Sequence, residues 1–143
     1  MALNRRTLLL LAALGVATSC VSPSERRWAE VRRTTWSLVS IEGEPPIPGG
    51  VVELHLEGGR RLFGNGGVNE FFGSYLHDGE AFTSTKIATT RRVGPPDLLA
   101  QERRIVSLIE AADRVEASSN RLRLLAGERL LLEFVPAKGT KIR

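Results

Sequence analysis

The chain has 143 residues, of which 42% are hydrophobic and 25% charged, and it carries a formal charge of +4 with a single cysteine. That length allows one domain with a real core and excludes two. A charge this small, with its arginines scattered, excludes a dedicated nucleic-acid face, and one cysteine excludes an internal disulfide.

The N-terminal stretch MALNRRTLLLLAALGVATSC has the three parts of an export signal: basic residues at Arg5 and Arg6, an apolar run from Leu8 to Val16, then small residues. The run is too short for a permanent transmembrane helix. It ends at Cys20, and the order Ala17, Thr18, Ser19, Cys20 resembles a bacterial lipobox, whose cysteine is lipidated on its thiol and becomes the first mature residue. Residues 1–19 are therefore expected to be a lipoprotein signal peptide and Cys20 the site of lipidation. The Arg5-Arg6 pair leaves Sec and twin-arginine export both open. Removing 19 of the 143 residues leaves 124, with a formal charge of +2 once Arg5 and Arg6 are gone and no second cysteine to pair with.

Residues 20–33 read as a lipidated polar tether that reaches about 40 Å if fully extended. Arg26, Arg27, Arg32 and Arg33 can lie near anionic headgroups with Trp28 in the interface, or the segment can be a solvated linker; the sequence leaves both open.

From Thr34 onward the dominant pattern is alternation with a period of two, the mark of strands. TTWSLVSI puts Trp36 and Leu38 on one face, and VVELHLE does the same with Val52, Leu54 and Leu56. Gly58-Gly59 reads as a two-residue hairpin turn. A second hairpin, NRLRLLAG and ERLLLEFV, alternates Leu122 and Leu124, then Leu130, Leu132 and Phe134, around a turn at Ala126-Gly127. One segment differs. PPDLLAQERRIVSLIEAAD spaces Leu98, Ile105, Leu108, Ile109 and Ala112 on one helical stripe, with Glu102, Arg103 and Glu110 placed away from it. Pro95 and Pro96 suit its first turn. The expected fold is mainly β: a small antiparallel β-barrel or half-barrel, residues 34–136, with a single α-helix packed against its open side. Residues 137–143 form a polar tail.

The glycine-rich stretch LFGNGGVNEFFGSY raises phosphate binding, which its context excludes. No lysine and hydroxyl pair follows the last glycine, Asn69 stands where a dinucleotide motif needs its third glycine, and the next residues are strand-like. Gly64, Gly66 and Gly67 instead suit a barrel corner, where Asn65 and Asn69 can bond to nearby backbone. Phe71, Gly73 and Tyr75 then alternate along the next strand, with Gly73 leaving room for a neighbouring chain segment.

From about Thr34 to Val135 the chain resembles the META domain of HslJ-like bacterial envelope proteins. TTWSLVSIEG (with Trp36) is similar to the family's opening strand, FGNGGVNEFFGSY to its glycine-asparagine motif, KIATTRR to its threonine-arginine strand with Thr90 and Arg91, and NRLRLLAGERLLLEF to its closing hairpin. Two positions depart from it. Val68 and Gly94 stand where the family commonly has cysteines, so any redox role of such a pair is absent. The resemblance implies a small antiparallel barrel with one helix and associates it with envelope and stress-related lipoproteins, without a shared reaction.

Chemistry is sparse. His55 reads as an exposed strand residue and His77 as part of a turn, with no metal-ligand spacing around either. No nucleophile elbow occurs. Ser74, Ser84, Thr85, Thr89 and Thr90 are ordinary strand hydroxyls, and Thr90-Arg91 is expected to bond or pack across the sheet near the glycine corner. The leading expectation is therefore a non-catalytic, lipid-anchored envelope protein that binds another envelope component or serves in stress. It would use no cofactor, metal or nucleic acid, and it is expected to be a monomer. Val21 in place of aspartate after the cysteine favours the outer membrane, facing the periplasm, in a Gram-negative cell. The alternative is a calycin-like binder of a small apolar ligand, against which Trp36, Phe63, Phe71, Phe82 and Phe134 are expected to fill the interior. A hydrolase using Thr90, Arg91 and a histidine ranks lowest.

Overall fold

A computed structural model of the protein describes residues 21–139; residues 1–19, expected to be a signal peptide, Cys20 and residues 140–143 lie outside the described residues. The strands are β1 (Trp36–Ile41), β2 (Glu53–Glu57), β3 (Arg61–Asn65), β4 (Glu70–Asp78), β5 (Ala81–Ser84), β6 (Ala88–Thr89), β7 (Arg114–Ala117), β8 (Leu122–Ala126) and β9 (Arg129–Pro136). All pair antiparallel. Eight of them close into a barrel in the order β1, β2, β3, β4, β5, β7, β8, β9, and β6 adds a short strand beside the first half of β4. A closed barrel has no free edge to pair with other chains, which suits a small all-β domain.

Alternation sorts the side chains as the sequence predicts. Trp36, Leu54, Leu56, Leu62, Phe71, Phe82, Leu122, Leu124, Leu132 and Phe134 all point inward and are 2% exposed or less. Each such side chain contributes roughly 1.5–3 kcal/mol relative to exposure. Phe63 is the exception among the expected core aromatics: it faces outward from β3 and stacks on His55. Register explains this. Leu54 pairs with Gly64 and Leu56 with Leu62, so Phe63, between them, falls on the outer face beside His55.

The first hairpin turn is one residue longer than the pattern suggests, and the second lies one residue later. The first uses three residues, Gly58, Gly59 and Arg60, with Gly59 at φ 77° and Arg60 at φ 68°. A two-residue turn would set Leu56 opposite Arg61 on the inner face, whereas the longer loop sets it opposite Leu62. The second turn is Gly127-Glu128, with Ala126 paired to Arg129. A bulge between Leu124 and Leu125 then shifts the alternation, so Leu131 is buried alongside Leu132 and Leu130 is only half-buried.

Two helices, rather than one, complete the domain. α2 (Pro96–Ala111) places Ile105, Leu108 and Ile109 in the same apolar cluster as the barrel interior, the packing expected of the single helix. α1 (Pro23–Val31) occupies most of the segment expected to be an extended tether. The side chain of Ser22 accepts from Glu25 N–H, Pro23 sits in the first turn, and Trp28 and Val31, three apart, bury one face. Trp28 is 7% exposed, so it lies in the core and away from any interface. Its ring stacks on His77 with centroids 3.5 Å apart, and Trp36 Nε1 donates to the Val31 carbonyl at 3.1 Å, tying the helix end to β1.

Removing that anchor has a calculable effect. Trp28→Ala is expected to lower unfolding free energy by about 3 kcal/mol, the usual cost of emptying a buried aromatic site. Urea unfolding followed by Trp36 fluorescence measures it; a change under about 0.5 kcal/mol would mean that α1 is not part of the folded unit.

Candidate functional site

The glycine-asparagine motif lies in the loop between β3 and β4, and its geometry is set by a residue far away in sequence. Glu102 is 5% exposed and Asn69 4%. Asn69 N–H donates to Glu102 Oε2 at 2.6 Å, Val68 N–H donates to the same oxygen at 3.2 Å, and Asn69 Nδ2 donates to Oε1 at 2.8 Å. Glu102 was expected away from the helix's apolar stripe. It is on it, because position 102 follows Leu98 by four and precedes Ile105 by three. The polarity of the residue hid what the spacing indicates.

Asn69 also holds the other side of the corner. Its Oδ1 accepts from Arg92 N–H at 2.5 Å and from Thr90 Oγ1 at 2.9 Å, and Thr90 Oγ1 in turn accepts from Glu70 N–H at 3.1 Å. Because Arg92 N–H can only donate, the carboxamide orientation is determined: oxygen toward residues 90–92, nitrogen toward Glu102. The side chain of Asn69 thus joins the β3–β4 loop, the segment entering α2 and α2 itself.

The glycines make room for this. A Cβ on Gly66 would stand 2.4 Å from Glu102 Cγ, and Gly67 adopts φ 116° with its N–H donating to Asn65 Oδ1 at 2.7 Å. Gly64 faces the Glu53 carbonyl and the Phe71 ring, and Gly73 faces Ile87, each too close for a larger residue without movement. No helix begins at this loop, so its amides do not converge on an anion. Gln101, next to Glu102, receives the N–H of Ile47 at 2.6 Å, so consecutive residues of α2 hold two different loops.

The other motif residues are dispersed. Tyr75 is buried near Trp28, and its hydroxyl donates to the Glu57 carbonyl at 3.1 Å. Trp36 closes the barrel under α1. Arg91 is exposed, with no hydrogen bond or ion pair among the described residues, so Thr90 and Arg91 do not act as a pair. His77 sits at the end of β4 opposite to Glu70 and Thr90, about 23 Å away at strand rise, and His55 is three strand spacings from β6, about 14 Å. Neither histidine reaches Thr90. Among the described residues no group of three His, Cys, Asp or Glu could hold a metal. A Cβ on Gly94 would lie 3.4 Å from the Cβ of Val68, so these two positions are neighbours in space.

His77 is a strand residue packed under Trp28, rather than part of the turn. Its Nδ1 is buried without a partner, and Nε2 lies 3.4 Å from an Arg32 nitrogen. Burial, reinforced by the Arg32 charge and opposed by Asp78, holds its pKa below the ordinary value of 6.5.

Two predictions follow from these contacts. Glu102→Ala leaves three donors unpaired and is expected to cost about 3 kcal/mol; Glu102→Gln, which sets an amide donor against a donor, costs about 1–2 kcal/mol. Urea midpoints of the two variants against the wild type check this ordering. For His77 the unfolded chain takes up a proton that the folded chain resists. Stability is therefore complete above about pH 6.5 and declines as pH falls from there toward the depressed folded value. Thermal unfolding at pH 7.5 and 5.5, with His77→Gln expected to flatten the difference, measures it.

The comparisons with known proteins agree with this architecture. No match was found among curated proteins. A solution NMR structure of a protein from Burkholderia xenovorans superposes with TM-score 0.62 at 20% identity, covering 85% of this chain and 95% of that one. A second NMR structure superposes with TM-score 0.60 at 19% identity, over 76% and 92% of the two chains. At these identities the likeness is one of fold. A profile of the META domain matches residues 29–139, most of the chain, and the protein belongs to the META domain family.

Proposed function

We propose that the protein is a non-catalytic, lipid-anchored META-domain protein of the cell envelope that acts by binding another envelope component through its outer surface. The observation that carries this reading is the position of Cys20, at the end of an apolar run and preceded by Ala17, Thr18 and Ser19. The helix cap at Ser22 adds a geometric consequence. An acylated Cys20 would lie two residues, about 7 Å of chain, from Ser22, the N-cap of α1, so the barrel would ride close to the headgroups rather than on a long leash.

A surface role is supported by the packed lumen, where Trp36, Phe71 and Phe134 and their leucine neighbours leave at most 1% of themselves exposed. A calycin-like ligand would have to displace them. The dispersal of Thr90, His55 and His77 likewise gives the hydrolase reading no assembled site. In a Gram-negative cell Val21 after the cysteine directs the protein to the outer membrane, facing the periplasm; an envelope-stress role fits the same placement.

Cys20→Ala is expected to move the protein from membrane to soluble fractions and to abolish incorporation of labelled palmitate. If the variant still sediments with membranes and the native chain takes up no label, the anchor is not this cysteine.

A further inference from the structure

On the solvent side of β2, β3 and β4 the register stacks two rungs of side chains. One is His55, Phe63 and Phe72; the other is Glu53, Asn65 and Glu70. Outward positions on a solvated wall are ordinarily polar. In the first rung, however, Phe72 is 45% exposed, and Phe63 stacks on His55 with centroids 4.7 Å apart. These side chains and Gly64 line a hollow of about 440 Å³.

Glu53 is the anomaly in this hollow. The other buried or half-buried glutamates all have donors: Glu42 meets Arg104 and Arg129, Glu57 meets Arg61, Glu116 meets Arg114, Glu133 meets Arg123, and Glu102 holds the Asn69 loop. Glu53 is half-buried and has no ion-pair or hydrogen-bond partner among the described residues. Glu70, the exposed second carboxylate of the rung, pairs with Arg92 at 3.7 Å.

We propose that this hollow is a binding site for a small organic cation, an ammonium group carried on an aromatic or branched aliphatic body. The charge is taken by Glu53, with Glu70 at the far end of the same rung across Asn65, and the body lies against Phe63 and Phe72, whose rings also attract a nearby cation. Glu53, the half-buried glutamate to which the described residues supply no counter-charge, is the group such a ligand would pair with. The volume suits a small molecule. At about 440 Å³ it falls within the roughly 300–1,000 Å³ of small-ligand sites. The site deepens the binding reading and rests on it for its use in the envelope, but occupancy does not depend on acylation at Cys20.

The test is an amide chemical-shift titration of the full chain in zwitterionic micelles with benzyltrimethylammonium, using benzyl alcohol as the neutral counterpart. Saturable shifts are expected for residues 53–55, 63–65 and 70–72, with benzyl alcohol giving none that saturate. Glu53→Gln, close in shape to the native residue, is expected to weaken binding roughly fivefold, and Phe72→Ala, at an exposed position, by a similar factor. The proposal is overturned by a lack of saturable shifts, by an equal response to benzyl alcohol, or by unchanged affinity in Glu53→Gln. Membrane fractionation of Cys20→Ala reads the anchor separately, so either idea can fail alone.

Discussion

The contact on which the corner of this barrel depends is the hydrogen-bonded pairing of Asn69 with Glu102. A buried carboxylate is costly unless its oxygens are occupied, and here both are, by two backbone N–H groups and a carboxamide. The carboxamide oxygen is occupied in turn by Thr90 and Arg92. Three chain segments distant in sequence are thereby held in one geometry, and the adjacent glycines are small because that geometry brings backbone against a side chain. A half-satisfied version of this network would be worse than an apolar corner, so its members stand or fall together.

At the other end of β4 the constraint is apolar. α1 closes over His77 and Tyr75 through Trp28, and Trp36 donates to the carbonyl of Val31, so the helix is continuous with the barrel core. This changes what the N-terminal segment is for. A polar tether would leave this segment outside the folded domain; as a capped and docked helix it is part of it. The buried, unpartnered Nδ1 of His77 makes that docking sensitive to proton uptake.

Inner and outer walls divide the roles. The lumen is filled with leucine and aromatic side chains that are almost wholly buried. The outer wall at β2, β3 and β4 carries what the interior lacks: exposed rings beside a carboxylate, Glu53, to which the described residues supply no partner.

Strand alternation, the apolar stripe of α2 and the approximate places of the two hairpin turns were legible in the sequence, because each depends on neighbours two to four residues apart, and they were enough to specify a mainly β barrel with a packed helix. The segment SPSE before Trp28 and Val31 also carried a helix signal of the same local kind, masked by its charge. Register was not legible: whether Phe63 faces in or out depends on which residue of β2 it meets, and the pairing of Leu56 with Leu62 decided it. Nor was the partner of Asn69. The sequence marked the asparagine, the glycines and Thr90 as a corner, but only the folded chain could select Glu102. A buried polar group is specified by the donor it meets in space, and a separation of 33 positions along the chain carries no local record of that meeting.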